Sequence, residues 1–115
     1  MCVATDFAMV GFDLIQDPER REEIRARLAE PGREIVALSN EQIGEFAGNA
    51  LELTGADGRR ILALSERAFA SLLPPQRKVI ESTAQIVPLS VPTIELAGGS
   101  VRCMLAGIHL SPRHP

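Results

Sequence analysis

Aromatic side chains are scarce in this chain, and several classes of function lose support with them. The sequence has four Phe and no Trp or Tyr, so it offers few stacking surfaces for single-stranded nucleic acid. Its net charge of -3 at pH 7 provides no basic surface for a phosphate backbone. No apolar run approaches the roughly 20 residues of a membrane span. We therefore expect neither a nucleic-acid partner nor a membrane partner.

Cysteine and histidine are also rare, with two of each in 115 residues. Cys2 and Cys103 lie near opposite ends of the sequence, and the N-terminus lacks the charged-then-apolar pattern of a signal peptide. We therefore expect a reducing, cytoplasmic location, where a structural disulfide is uncommon. No Cys/His cluster has the spacing of metal ligands. The sequence predicts no metal site and no cofactor.

The chain does contain a repeated order of elements. Strand, strand, helix and strand patterns follow one another over residues 1–38 and again over residues 39–97. Residues 98–110 then form a C-terminal strand segment, in which Val101–Ile108 resembles the opening strand of a third unit, and residues 111–115 are a tail. The length suits a single domain with one core. The sequence thus predicts an α/β fold of two ββαβ units followed by one further strand.

Local signals support the boundaries of these elements. Asp17 precedes Pro18 as the cap of the first helix, and Ser39 with Gln42 forms a capping-box pattern. Asp57-Gly58 is the strongest hairpin signal in the chain.

Cys103 is the candidate nucleophile, because it follows the glycine pair Gly98-Gly99, where backbone can approach a ligand closely. The alternative is a small buried hydrophobe, since Cys103 alternates with Val101 and Leu105 as a core-facing residue would. Without a neighbouring base or cation, its pKa is expected near or above the ordinary value of about 8.5.

Other polar residues have structural interpretations beside functional ones. Asn49 is either a turn or strand-entry residue or a substrate contact. The remaining candidates are given structural places: Arg102 in solvent, Cys2 in the core, Glu95 in a turn or short helix before the glycines, His109 at the surface and His114 in the tail.

Two segments carry a resemblance to a known family. Phe46–Leu53, with Gly48-Asn49, resembles a strand entry at the active-site mouth of the guanidine-modifying enzymes, and Thr93–Met104 resembles their C-terminal nucleophile segment. This superfamily includes arginine deiminase, glycine amidinotransferase and dimethylarginine dimethylaminohydrolase. It shares the pentein fold, a five-bladed propeller of ββαβ modules. The chain is most similar to the citrulline- or arginine-related amidinotransferase-like branch.

The resemblance implies a mechanism and a substrate class. In the family a cysteine thiolate attacks the guanidinium carbon of an arginine-like molecule, and a histidine serves as acid and base. Of the family's catalytic parts only the nucleophile has a match here, at Cys103, and Asn49, in the segment that resembles the active-site mouth, is the candidate substrate-binding residue. The family's histidine lies just upstream of the strand that resembles Met1–Ala4, and its guanidinium-binding carboxylates come mainly from earlier modules. The resemblance therefore implies a partial propeller. A reading frame that continues upstream into a histidine-containing segment would make Met1 an internal methionine of a longer gene product.

Two functional hypotheses follow. The chain is the C-terminal part of a guanidino-group hydrolase or amidinotransferase, inactive alone and completed by N-terminal modules. The alternative is a non-catalytic interaction module or remnant in which Cys103 has lost its function. Both predict association with another chain, most simply as a homo-oligomer, because a partial propeller leaves strand edges unpaired.

Overall fold

The chain forms two three-stranded sheets flanked by helices in a computed structural model that describes residues 1–107. This confirms the expected α/β class. The strands are β1 Cys2–Val3, β2 Phe7–Val10, β3 Glu34–Ala37, β4 Leu51–Thr54, β5 Arg60–Ser65 and β6 Gln85–Leu89. The helices are α1 Pro18–Ala29, α2 Asn40–Gly44, α3 Glu66–Ser71, α4 Pro74–Glu81 and α5 Pro92–Leu96, with 3₁₀ helices at Phe12–Leu14 and Val101–Met104.

The two sheets have the same topology. Their strand orders are β1-β2-β3 and β4-β5-β6. In each sheet the first two strands are antiparallel and the third runs parallel to the second. Helix α1 connects β2 to β3, and the pair α3 and α4 connects β5 to β6. The order strand, strand, helix, strand therefore occurs twice, over β1–β3 and over β4–β6.

The local signals act as their chemistry predicts. The Asp17 carboxylate accepts hydrogen bonds from the backbone N–H groups of Glu19 and Arg20. Ser39 and Gln42 form a reciprocal capping box at the start of α2, which satisfies two backbone donors that the helix leaves unpaired. Gly58 has φ +78 between β4 and β5, a conformation that glycine adopts without a steric penalty.

The larger core cluster joins the two units. Phe7 and Met9 of β2, Leu62 and Leu64 of β5 and Ile80 of α4 are all within it, and none is more than 1% exposed. Burying such side chains contributes roughly 1.5–3 kcal/mol each. A smaller cluster lies between α1 and the first sheet. The interface between the units is therefore the main core of the described chain.

Polar contacts also cross this interface. Glu52 Oε1 accepts hydrogen bonds from the Thr5 backbone N–H at 3.1 Å and from its hydroxyl at 2.5 Å. Asp6 forms an ion pair with Arg60. The Asp6–Arg60 pair lies at the start of β5, beside the end of β4, whereas Asn49 precedes β4 at the opposite end of this strand pair. That opposite end holds the candidate site.

The C-terminal strand expected over Val101–Ile108 is wrong in its described part. Val101–Met104 form a 3₁₀ helix that packs against β5, and Ile108 lies outside the described residues. Val101 is completely buried while Cys103 and Leu105 are exposed. A 3₁₀ helix has three residues per turn, so residues two apart no longer share a face. The alternation in the sequence was therefore not that of a strand.

Candidate functional site

Cys103 lies at the surface, on a turn that buried neighbouring side chains hold in place. It is the third residue of the 3₁₀ helix, and its side chain is exposed. Val101 and Ser100 are both 0% exposed, and the Ser100 hydroxyl donates a hydrogen bond of 3.0 Å to Glu95 Oε1. Glu95 therefore supports this turn from α5, in agreement with its expected place. The buried side chains fix the backbone while the thiol remains accessible.

The glycine pair before the turn has two separate roles. Gly98 has φ +90, in the region that L side chains rarely adopt. At Gly99, an added Cβ would lie 3.6 Å from Cys103 Sγ and 3.4 Å from Cys103 Cβ. Gly98 thus allows the chain to reverse, and Gly99 leaves space beside the sulfur.

Asn49 contacts the candidate nucleophile directly. Its side-chain Nδ2 lies 3.1 Å from Cys103 Sγ, and its Oδ1 accepts a hydrogen bond of 2.9 Å from the backbone N–H of Arg102. The fold therefore brings together two site residues, predicted from the sequence, that are 54 positions apart. These contacts place the Asn49 amide at the entrance to β4 and against the Cys103 turn.

The environment of Cys103 favours the thiolate. The Asn49 amide lowers the pKa of the Cys103 thiol most, followed by a hydrogen bond from the Ser100 backbone and, more weakly, by the charge of Arg102. Hydrogen bonds to the charged form stabilise that form. This direction runs against the expectation of a pKa near or above the ordinary value. That expectation considered histidine and bound cations but not neutral donors.

Arg102 links the site to the first strand. Its side chain is exposed, as expected, but its guanidinium also donates a hydrogen bond of 2.7 Å to the backbone carbonyl of Met1. Gly48 accommodates the same segment, because an added Cβ there would lie 3.0 Å from the Met1 nitrogen. Sequence analysis missed this contact. The partners are 101 positions apart, and no local pattern indicates such a pairing.

A cavity of about 220 Å³ lies beside Asn49. Its lining residues are mostly apolar: Met1, Ile43, Phe46, Gly48 and Asn49. Phe46 has φ +64, which is uncommon for a residue with a bulky side chain. The cavity combines a mostly apolar wall with the Asn49 side-chain amide.

Other expectations have simpler outcomes. Cys2 is buried in β1 at 2% exposure, as expected, and both cysteines are free thiols. His109 and His114 lie outside the described residues. Within residues 1–107, no group of three or more His, Cys, Asp or Glu side chains is arranged to hold a metal ion. In the same residues, no helix is both long and apolar enough to cross a membrane.

Comparison with known proteins identifies the family. A family model described as N,N dimethylarginine dimethylhydrolase, eukaryotic, matches residues 1–110. The chain belongs to this dimethylarginine dimethylhydrolase family. Searches of curated proteins and of solved structures gave no match. The family match includes Asn49, Arg102 and Cys103. It confirms the wider superfamily that the two sequence segments indicated.

Proposed function

We propose that this chain carries the nucleophile of a hydrolase that acts on the guanidino group of dimethylarginine-like substrates. One observation carries the proposal: an exposed Cys103 thiol, with its pKa lowered by the Asn49 amide, in a chain of the dimethylarginine dimethylhydrolase family. A thiolate is the reactive form of cysteine. An accessible thiolate is the first requirement for covalent attack on a guanidinium carbon.

The proposed reaction proceeds in two steps. The Cys103 thiolate forms a C–S bond to the guanidinium carbon, and the C–N bond to dimethylamine breaks as that nitrogen takes a proton. This leaves a cationic thiouronium group on the sulfur. Water then adds to the same carbon and loses its protons, and the C–S bond breaks to give a urea product and the free thiolate. Each step needs one group that moves protons.

We propose that this proton-transfer group is a histidine joined to the chain ahead of Met1. Residues 1–107 contain no histidine. The resemblance places the family's histidine just upstream of the first strand. The contact between Arg102 and the Met1 carbonyl holds this point of the chain close to the Cys103 turn. A short segment preceding Met1 would therefore be within reach of the sulfur.

The first test measures turnover by the chain alone and by an extended chain. The substrates are arginine, asymmetric dimethylarginine, other methylated arginines and agmatine, and the products are ureido compounds and released amine. We expect no turnover by residues 1–115 alone, because they lack the proposed base and the guanidinium-binding carboxylates. The extended chain is the upstream reading frame translated through Met1, and we expect it to be active.

The DNA sequence upstream of Met1 provides a second test of the proposed histidine. A frame that continues into a histidine-containing segment supports the proposal. Turnover by the isolated chain that Cys103→Ala abolishes would contradict the proposed origin of the base. An extended chain that binds but never converts any guanidine would instead support a non-catalytic role.

Transfer to an amine is the narrower amidinotransferase-like alternative. The thiouronium group could react with an acceptor amine in place of water, with the same bonds broken at the sulfur. Adding glycine or ornithine to the assay distinguishes the two reactions. New guanidino products would indicate transfer, and a urea product that is insensitive to the amine indicates hydrolysis, which we propose.

We also propose that the chain self-associates. Several large apolar side chains are exposed near its C-terminal segment, among them Leu96 at 90% together with Leu89, Ile94, Met104 and Leu105. Exposed apolar clusters are typical of interaction surfaces. Sedimentation at micromolar concentration should show at least a dimer. A well-folded monomer over that range would contradict both self-association and the interaction-module alternative.

A further inference from the structure

We infer that Asn49 is a positioning residue for the Cys103 nucleophile, and that its amide holds the sulfur in the resting site before any substrate binds. This inference rests on the proposed function, because it names the residue that prepares the proposed nucleophile. It differs from the sequence expectation, in which Asn49 contacts the substrate.

The hydrogen bonds fix which end of the amide faces the sulfur. The backbone N–H of Arg102 is a donor, so the atom 2.9 Å from it must be the Asn49 oxygen. The nitrogen then faces Cys103 Sγ at 3.1 Å. A thiolate can only accept hydrogen bonds, so this orientation matches the charged sulfur. One side chain therefore connects the backbone of the turn with its reactive atom.

The Asn49 backbone is also held in place. Its N–H donates a hydrogen bond of 2.8 Å to the carbonyl oxygen of Phe46. Ala47 and Ala50 are both completely buried, which restricts the segment on each side. A side chain fixed at its backbone and at both ends of its amide is suited to positioning the sulfur. Reaching out to a substrate would break two of these hydrogen bonds.

The consequence concerns when the thiolate forms. The family resemblance implies that the substrate's positive charge helps to hold the thiolate. In this chain neutral donors already act on the sulfur, with the Asn49 amide first among them. We therefore expect Cys103 to be reactive in the absence of substrate, and we expect Asn49 to account for much of that reactivity.

The experiment measures alkylation of Cys103 by iodoacetamide as a function of pH, without substrate. The full chain is used, and peptide mass spectrometry assigns the modification to Cys103 or Cys2. The variants are Asn49→Ala and Asn49→Asp, and the matched control is Asn40→Ala. Asn40 is the only other asparagine in the sequence and is exposed at the start of α2. Thermal unfolding of each variant checks that it folds.

We expect Asn49→Ala to slow alkylation at neutral pH on the order of tenfold, because a smaller fraction of the sulfur is ionised. At high pH, where the thiol is fully ionised in every variant, its rate should equal that of the wild-type chain. Asn49→Asp keeps the acceptor for Arg102 but places a carboxylate beside the sulfur, so we expect a larger decrease. Asn40→Ala should leave the whole profile unchanged.

Two results would overturn the inference. In one, the Asn49 variants share the wild-type pH profile. In the other, the rate falls equally at every pH, which would mean that Asn49 controls access to the sulfur. Alkylation requires no turnover, so a chain that proves inactive still tests the inference. Conversely, in the extended enzyme a raised KM with unchanged kcat and unchanged alkylation would assign Asn49 to substrate binding and leave the proposed hydrolase intact.

Discussion

The two cysteines of this chain both lie near the positive charge of Arg102, but one is buried and the other is exposed. Cys2 is 2% exposed in β1, and burial raises its pKa. Cys103 is exposed on the C-terminal turn, and hydrogen bonds lower its pKa. The positive charge of Arg102 acts on both sulfurs and favours the thiolate in each case. The comparison separates the effect of a nearby cation from the effects of burial and direct donors.

Burial is the deciding factor at Cys2. Desolvation is the largest contribution there, and the charges of Arg102 and the N-terminus only partly offset it. At Cys103 the desolvation is smaller than the hydrogen bonds from Asn49 and the Ser100 backbone. The charge of Arg102 therefore acts both on a thiol whose pKa is raised and on a thiol whose pKa is lowered. Burial and local hydrogen-bond donors therefore decide the direction of each cysteine's pKa.

Turnover gives the largest expected difference between the two cysteines. In the extended chain proposed above, Cys103→Ala should lower kcat on the order of a thousandfold or more, because Cys103 is the proposed nucleophile of the covalent intermediate. Cys2→Ala should change kcat by less than about threefold, because its thiol is buried and has a raised pKa. Steady-state assays of urea-product formation measure both. Comparable losses in the two variants would invalidate the contrast.

For the free energy of unfolding we expect the opposite order, with a larger loss on substitution of Cys2 than of Cys103. Cys2→Ser places a hydroxyl in the core without an assigned partner, which costs about 1–3 kcal/mol. Cys103→Ser changes an exposed side chain, and surface substitutions usually stay within about 0.5 kcal/mol. Urea unfolding of both variants at neutral pH tests the expectation. An equal loss in both would indicate that the Cys103 turn is as important to the fold as β1.

The pH dependence of the free energy of unfolding should also differ between Cys2 and Cys103. The raised pKa of Cys2 means that the unfolded chain loses this proton at a lower pH than the folded chain does. The Cys2 contribution to the free energy of unfolding is therefore present below the unfolded pKa of about 8.5 and is lost as pH rises through the folded pKa. The slope is at most about 1.4 kcal/mol per pH unit. Cys2→Ala should remove this alkaline decrease, and Cys103→Ala should not.

The sequence predicted the repeated units well because their signals are local. Asp17, Ser39 and Asp57-Gly58 act within a few residues of themselves, and the structure has each in its expected role. The C-terminal segment was different. Its apolar alternation indicated a strand, but the turn at Gly98 and the burial of Val101 against β5 stabilise a 3₁₀ helix. Tertiary packing decided the conformation there.

The candidate site shows the same division. Cys103 and Asn49 were identified from their residue types and from the family resemblance, and the structure brings their side chains into contact. The direction of the Cys103 pKa and the contact of Arg102 with Met1 could not be predicted. Both depend on atoms from segments far apart in sequence. Local patterns give no information on how such atoms are oriented.

Gly99 offers the smallest of the expected effects and a different way to perturb only one of the two cysteines. Gly99→Ala would place a methyl group about 3.6 Å from Cys103 Sγ, so we expect alkylation of Cys103 to slow by about two- to fivefold through crowding. Crowding restricts access at every pH, whereas loss of the Asn49 amide acts only where the thiol is partly ionised.

Gly44→Ala is the matched control, because no atom lies within 4 Å of its added Cβ. Alkylation profiles of the two variants, with Cys2 read from the same spectra, test this. A Gly99→Ala profile that shifts along the pH axis and keeps its high-pH rate would show that Gly99 influences the charge of the sulfur and not its accessibility.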